Sequence, residues 1–198
     1  MPREPVIRAS TLPALHRSAL QSTRSFVAGV EQSQWSNATP CAEWDVRALV
    51  NHVTAGNLWA AELAAGRTIA EVGGRFDGDL LGADPLAAYD ASAAVGAAAF
   101  EVAGALDAPC AVSYGPIAGS DYAGHRFLDV LVHGWDIAIA TEQDPVLDPA
   151  LVEACWDVIQ PQLADLRASG MFGSSRPTDP DSLDPQSRVL MALGRAVP

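Results

Sequence analysis

From Arg126 to Ala140 every residue is apolar or glycine except Arg126, Asp129, His133 and Asp136. A helix that is apolar almost all round is a buried helix, so this stretch has to run through the interior of the fold. Asp129 and His133 are four residues apart and stack on one helical face, and Asp136, three further on, continues the stripe. A buried ionised carboxylate without a partner is strongly unfavourable, so the stripe must meet compensating groups. An inward carboxylate–imidazole pair at this spacing is also how one helix of a bundle presents two metal ligands.

The remainder of the chain reads as helical, because Ala and Leu dominate and β-branched runs are short. A first helix is expected over Thr11–Gln34, with Leu12, Leu15, Leu20, Phe26 and Val30 inward, before a turn at Thr39-Pro40. Asp45 is the expected N-cap of a second helix from Val46 to about Ala65. Asp84-Pro85 opens a third, to about Leu106, and the fourth covers about Tyr122 to Thr141. Residues 73–84 and 109–120 read as loops, from their Gly, Asp and Pro content. Asp148-Pro149 starts a helix to about Ala168, which Pro161 should kink or stop; a loop over 174–185 and a short helix over Ser187–Leu193 follow. The expectation is an all-α four-helix bundle with short additional C-terminal helices. One domain would span 1–198, with its core at about 10–142 and a helical extension at about 148–198.

Charge narrows the function. The net charge is −12, and all 12 basic residues are Arg, so phosphate backbones repel the chain and nucleic-acid binding is not expected. No apolar run approaches the roughly 18 residues of a membrane helix, and the first twenty residues hold no apolar block of a signal peptide. Cys41, Cys110 and Cys155 lie far apart without a C-x-x-C, which fits reduced thiols and a cytoplasmic protein.

The second helix offers a third ligand. At 100° per residue, Arg47, Asn51, Thr54 and Glu62 share one side, whereas His52 lies at the edge of the apolar side near Leu49, Gly56, Trp59 and Leu63. Gly56, one turn on, is expected to leave space beside the imidazole for a substrate or a water. His52, Asp129 and His133 would then form a three-ligand site with an open position, the catalytic kind. The same residues also read as a hydrogen-bonded core histidine and a buried ion pair. Asp136 reads as an acceptor for an imidazole N–H or as a general base, and Arg126 as a neutralising partner or a receptor for a substrate carboxylate. Trp44, Trp59 and Trp135 read first as core packing, with Trp59 and Trp135 candidate pocket walls. His16 and His125 read as surface residues, and Cys41 as an ordinary buried cysteine.

The segment Thr39-Pro-Cys-Ala-Glu-Trp-Asp-Val-Arg-Ala-Leu-Val-Asn-His52 resembles the second-helix signature of the DinB-like metal-binding superfamily. It is similar, more narrowly, to the actinobacterial branch related to mycothiol-dependent maleylpyruvate isomerase. Leu128-Asp-Val-Leu-Val-His-Gly-Trp-Asp-Ile-Ala138 resembles the matching fourth-helix signature, and Leu190-Met-Ala-Leu-Gly-Arg195 the ending of a short subgroup. The resemblance implies a bundle holding a divalent metal, zinc or else nickel, at His52, Asp129 and His133. Asp129 stands where many relatives have His or Glu. The resemblance further implies a low-molecular-weight thiol, mycothiol, as co-substrate for attack on a small electrophile. The isomerase carries a second domain after the bundle, so maleylpyruvate itself is not the expected substrate.

The reading is therefore a metal-dependent thiol transferase or isomerase, with Arg126, Gly56 and Trp59 as substrate-contacting candidates. A non-catalytic metal- or thiol-binding stress module, and a structural dimeric bundle with a vestigial site, stay open beside it. A homodimer fits the resemblance.

Overall fold

The computed structural model describes residues 7–164 and 183–197. The described residues fall into two compact units, one over residues 9–145 and the other holding those from Val146 onward together with residues 7 and 8.

The first unit is the helical bundle. In chain order it contains α1 (Leu12–Ala28), α2 (Val46–Ala64), the single-turn α3 (Ile69–Val72), α4 (Pro85–Ala99), β1 (Pro109–Val112), β2 (Gly115–Ala118) and α5 (Gly119–Ala140). The long helices α1, α5, α2 and α4 close a ring, each packing on the next and α4 packing back on α1. Between Arg126 and Ala138 every residue of α5 is buried except His133's neighbour one turn back, Asp129, which is half-buried. The apolar run therefore does what its composition demands. Gly134 lets α1 approach: a Cβ there would collide with Thr23 Oγ1, the hydroxyl that donates to the Val130 carbonyl at 2.8 Å.

Helix starts match the caps expected of them. Asp45 accepts the Ala48 N–H at 2.8 Å and Asp84 that of Ala87 at 3.0 Å, each satisfying a first-turn donor. Helix ends differ. α1 stops at Ala28, not Gln34, and α4 at Ala99, not Leu106. The polar side of α2 has a structural use, because it ties down the glycine-rich loop that follows. Arg47 pairs with Asp79 at 2.8 Å, and Asn51 accepts from Leu80 N at 2.8 Å and donates to Gly78 O at 3.0 Å. Thr54, expected on that side, is instead 2% exposed.

Two further expectations are corrected. Residues 109–118 form an antiparallel hairpin, with Cys110 opposite Ile117 and Val112 opposite Gly115. Cys110 and Val112 alternate inward, and Pro109 and Pro116 are tolerated because a two-stranded ribbon consists only of edges. His16 is not at the surface: it is fully buried in the α1 stripe Leu12, His16, Ala19, Leu20, Thr23, Val27, edge-on to Phe100 with ring centroids 5.4 Å apart. Of the expected inward set Leu12, Leu15, Leu20, Phe26 and Val30, only Leu12 and Leu20 are buried and the other three are half-buried, because the core face runs through the two polar members His16 and Thr23 instead.

In the second unit, Asp148 caps α6 (Pro149–Ile159), which gives way at Pro161 to a 3-10 turn over Gln160–Gln162. α7 (Pro185–Ala192) packs on α6, with the Arg188 guanidinium 4.4 Å from the centre of the Trp156 ring. The expected continuation to Ala168 reaches past the described residues at 165, and the expected loop over 174–185 lies largely outside them. Among the described residues no helix is long and apolar enough to cross a membrane.

Burial, and next the positive charge of Arg126, lowers the pKa of His16 from 6.5 to about 3. The unfolded chain therefore takes up a proton at this residue from pH 6.5 downward while the folded chain does not, so His16 drains stability over the window from 6.5 to about 3. His16→Leu removes the drain. Urea denaturation should show the variant gaining on the wild type by up to ~1.4 kcal/mol per pH unit below 6.5. Parallel stability–pH curves would contradict this placement.

Candidate metal centre

Asp129 organises the site by using its two oxygens differently. Oδ2 accepts from Arg126 Nη1 at 2.9 Å, one helical turn back. Oδ1 faces both imidazoles, lying 3.4 Å from His133 Nε2 and 3.7 Å from His52 Nε2. These separations exceed the 2.7–3.2 Å of a normal N–H···O hydrogen bond. They come near the ~3.3 Å edge of a tetrahedron whose donors sit about 2.0–2.1 Å from its centre. The donor atoms of His52, Asp129 and His133 all lie within 4.8 Å of one another. Two imidazole nitrogens and one carboxylate oxygen at such spacing fit a divalent ion such as zinc.

Each donor is held from behind. His133 Nδ1 lies 3.0 Å from Asp136 Oδ2, and Asp136 is fully buried. A hydrogen bond there fixes the ring and leaves Nε2 free as a ligand. His52 is set by Trp44, whose ring stacks on the imidazole with centroids 4.4 Å apart and planes 29° from parallel. Trp44 is placed in turn by a tight turn before α2, in which Thr39 Oγ1 receives the Cys41 N–H at 3.1 Å and donates to the Trp44 carbonyl at 2.8 Å. The same turn brings Cys41 Sγ to 3.4 Å from Asp136 Oδ2 and 3.9 Å from His133 Nδ1.

Electrostatics follow the geometry. Burial alone raises the pKa of Asp129, but the charge of Arg126 and then of His133 outweighs it and holds the carboxyl well below the usual range. Burial also works against protonated His133, yet the negative charge of Asp129 and the contacts with Asp136 and Cys41 lift its pKa well above 6.5. The metal-free geometry, with a carboxylate facing each ring nitrogen, thus favours the protonated form of His133.

The sequence-derived candidates divide. His52, Asp129, His133 and Asp136 converge. Arg126 joins them as the partner of Asp129, 7% exposed, with Nη2 3.3 Å from Asn57 Oδ1. The expectation that Gly56 leaves room for a ligand beside His52 is corrected: the Arg126 guanidinium fills that space, and a Cβ on Gly56 would overlap it. Trp59 is half-buried and meets Phe76 edge-on at 5.8 Å. His125 is half-buried and bonded through Nδ1 to Tyr114 Oη at 2.7 Å. Sequence reasoning passed over Trp44 and Cys41 as site residues. Their signal was the Pro40–Asp45 turn, which ends in a helix cap two turns before His52.

A family model described as the mycothiol maleylpyruvate isomerase N-terminal domain matches residues 16–138, a span holding every residue of this centre. An uncharacterized protein of Mycobacterium tuberculosis strain CDC 1551 / Oshkosh is 33% identical over 187 residues, covering 92% of this chain and 96% of the relative. An uncharacterized protein of strain H37Rv matches with the same figures. No solved structure matches the chain.

Gly56 offers a test with a definite sign. By helix propensity alone, Gly56→Ala should stabilise by ~1 kcal/mol. Because the added methyl displaces the guanidinium from Asp129, the substitution should instead destabilise by ~1–3 kcal/mol in urea denaturation. A more stable variant would show that Arg126 does not depend on this space.

Proposed function

Because the chain belongs to the family of the mycothiol maleylpyruvate isomerase N-terminal domain, we propose that it is a metal-dependent thiol transferase or isomerase. His52, Asp129 and His133 hold one divalent cation, zinc by donor chemistry, and the substrates are a low-molecular-weight thiol such as mycothiol and a small electrophile. The reading places it in the cytoplasm, where its three cysteines, none in a disulfide, stay reduced.

The observation that carries this reading is the division of labour at Asp129, with one oxygen neutralised by Arg126 and the other turned to two imidazoles. Arg126 cancels Asp129, so with neutral His133 the buried Asp136 leaves the site one net negative charge. A divalent cation converts that to one net positive charge, which favours an anionic ligand and hence the deprotonated form of a thiol at neutral pH. The chain's own groups then act by position. Asp136 fixes which His133 nitrogen faces the ligand side, Trp44 holds the plane of His52, and Arg126 keeps the Asp129 carboxylate from turning. Arg126 has its guanidinium engaged by Asp129 and Asn57, which supports a positioning role over capture of a substrate carboxylate.

Two measurements test the reading. Zinc affinity, read by competition with a chromophoric chelator, should collapse in His52→Ala and His133→Ala and drop about 10–100-fold in Asp136→Asn. It should also weaken as pH falls, because His133 with its raised pKa must release a proton before it can ligate. Zinc-loaded protein should consume mycothiol in the presence of small unsaturated acids or epoxides, and His133→Ala should not. Unchanged zinc affinity in both histidine variants would overturn the site. Zinc-dependent thiol binding without consumption would overturn the transferase and favour a thiol-binding module.

A further inference from the structure

His133 presents a carboxylate to each of its ring nitrogens. Asp129 Oδ1 lies 3.4 Å from Nε2, and Asp136 Oδ2 lies 3.0 Å from Nδ1. On the Nδ1 side there is also a thiol, Cys41 Sγ, 3.4 Å from the Asp136 oxygen and 3.9 Å from the nitrogen. The three donor atoms lie within 4.8 Å of one another, as compact a set as His52, Asp129 and His133.

We propose that Cys41, His133 and Asp136 form a second cation position, specific for thiophilic ions, on the opposite edge of the His133 ring. It shares His133 with the centre above but does not rest on that centre's proposed activity. Sulfur, imidazole nitrogen and carboxylate oxygen together suit a soft ion such as Cd²⁺ or Cu⁺ and disfavour Mg²⁺ or Ca²⁺. The position is a built one. Asp136 is fully buried and His133 nearly so, while the Thr39-braced turn fixes the backbone that carries Cys41. Cys41 is half-exposed, which gives an ion a way in, whereas Cys110 and Cys155 are fully buried and without access.

The two positions exclude one another. A neutral imidazole has one lone pair, at Nε2 or at Nδ1, and in either tautomer the N–H faces a carboxylate oxygen, 3.0 Å away at Asp136 or 3.4 Å away at Asp129. An ion at Cys41 therefore takes His133 away from His52 and Asp129, and a thiophilic metal should compete with zinc rather than bind beside it.

The test is titration of the full-length chain with Cd²⁺, following sulfur-to-metal charge-transfer absorption in the near ultraviolet, with circular dichroism as the check on folding. Wild type and His52→Ala should both develop the band. Cys41→Ser should lose it while still binding zinc. In wild type loaded with zinc, Cd²⁺ should displace the zinc, with total occupancy staying at one ion. Absence of the band in folded wild type and His52→Ala would overturn the proposal. So would its persistence in Cys41→Ser, or simultaneous binding of two ions. A cadmium band that survives in His52→Ala together with zinc affinity unaffected by that substitution would sink the first centre and leave this one standing.

Discussion

The ion pair between Arg126 and Asp129 is the constraint to which the rest of the bundle is fitted. Arg126 is 7% exposed, and a guanidinium so far from water is tolerable only with a carboxylate and further acceptors around it. Asp129 supplies the charge and Asn57 a carbonyl oxygen, while Gly56 supplies the room. Removing one member of such a pair typically costs ~3–5 kcal/mol, because the other is left charged and buried. The pair's charge also reaches α1, which packs on α5: Arg126 is the second cause, after burial, of the depressed pKa of His16. A stability requirement and a functional one thus meet in one contact. The bond that makes Arg126 tolerable also turns the remaining oxygen of Asp129 toward His52 and His133.

That arrangement explains the division between helix and loop in building the centre. α5 supplies Arg126, Asp129, His133 and Asp136 on a single stripe, so their relative positions are fixed by helical geometry. His52 comes from α2, whose start is fixed by Asp45, and Trp44 comes from the turn just before it. The turn also carries Cys41, so one short segment touches both histidines, His52 through a stacked ring and His133 through sulfur. A thiol at this point gives the chain a chemistry on the Nδ1 side of His133 that the His52 side lacks.

Much of this was legible in the sequence because polar residues in an apolar run stand out. Asp129, His133 and Asp136 were visible as a stripe, and Asp45 and Asp84 as caps, since each rests on local rules of spacing and hydrogen bonding. Residues whose role depends on a partner far away in sequence were not. His16 and Thr23 look like ordinary polar interruptions of α1 until Phe100 and the Val130 carbonyl are placed beside them. Gly56 reads as an opening until Arg126 enters it. The hairpin over 109–118 was hidden because Pro and Gly mark a turn and an edge strand alike. The end of α1 was overestimated because Gly29, its C-cap, was read as helix interior, and that of α4 because alanine-rich sequence sustains helical propensity past the point where packing stops rewarding it.

The central claim is that the stripe on α5 and His52 of α2 together hold a metal ion. Elemental mass spectrometry on tag-free protein, purified without added metal, tests it most directly. The account predicts about one divalent ion per chain in wild type and none in folded His52→Ala and His133→Ala variants. A wild-type chain that is folded and metal-free, and stays so after incubation with zinc, would contradict it and reduce the centre to a buried charge network around Arg126.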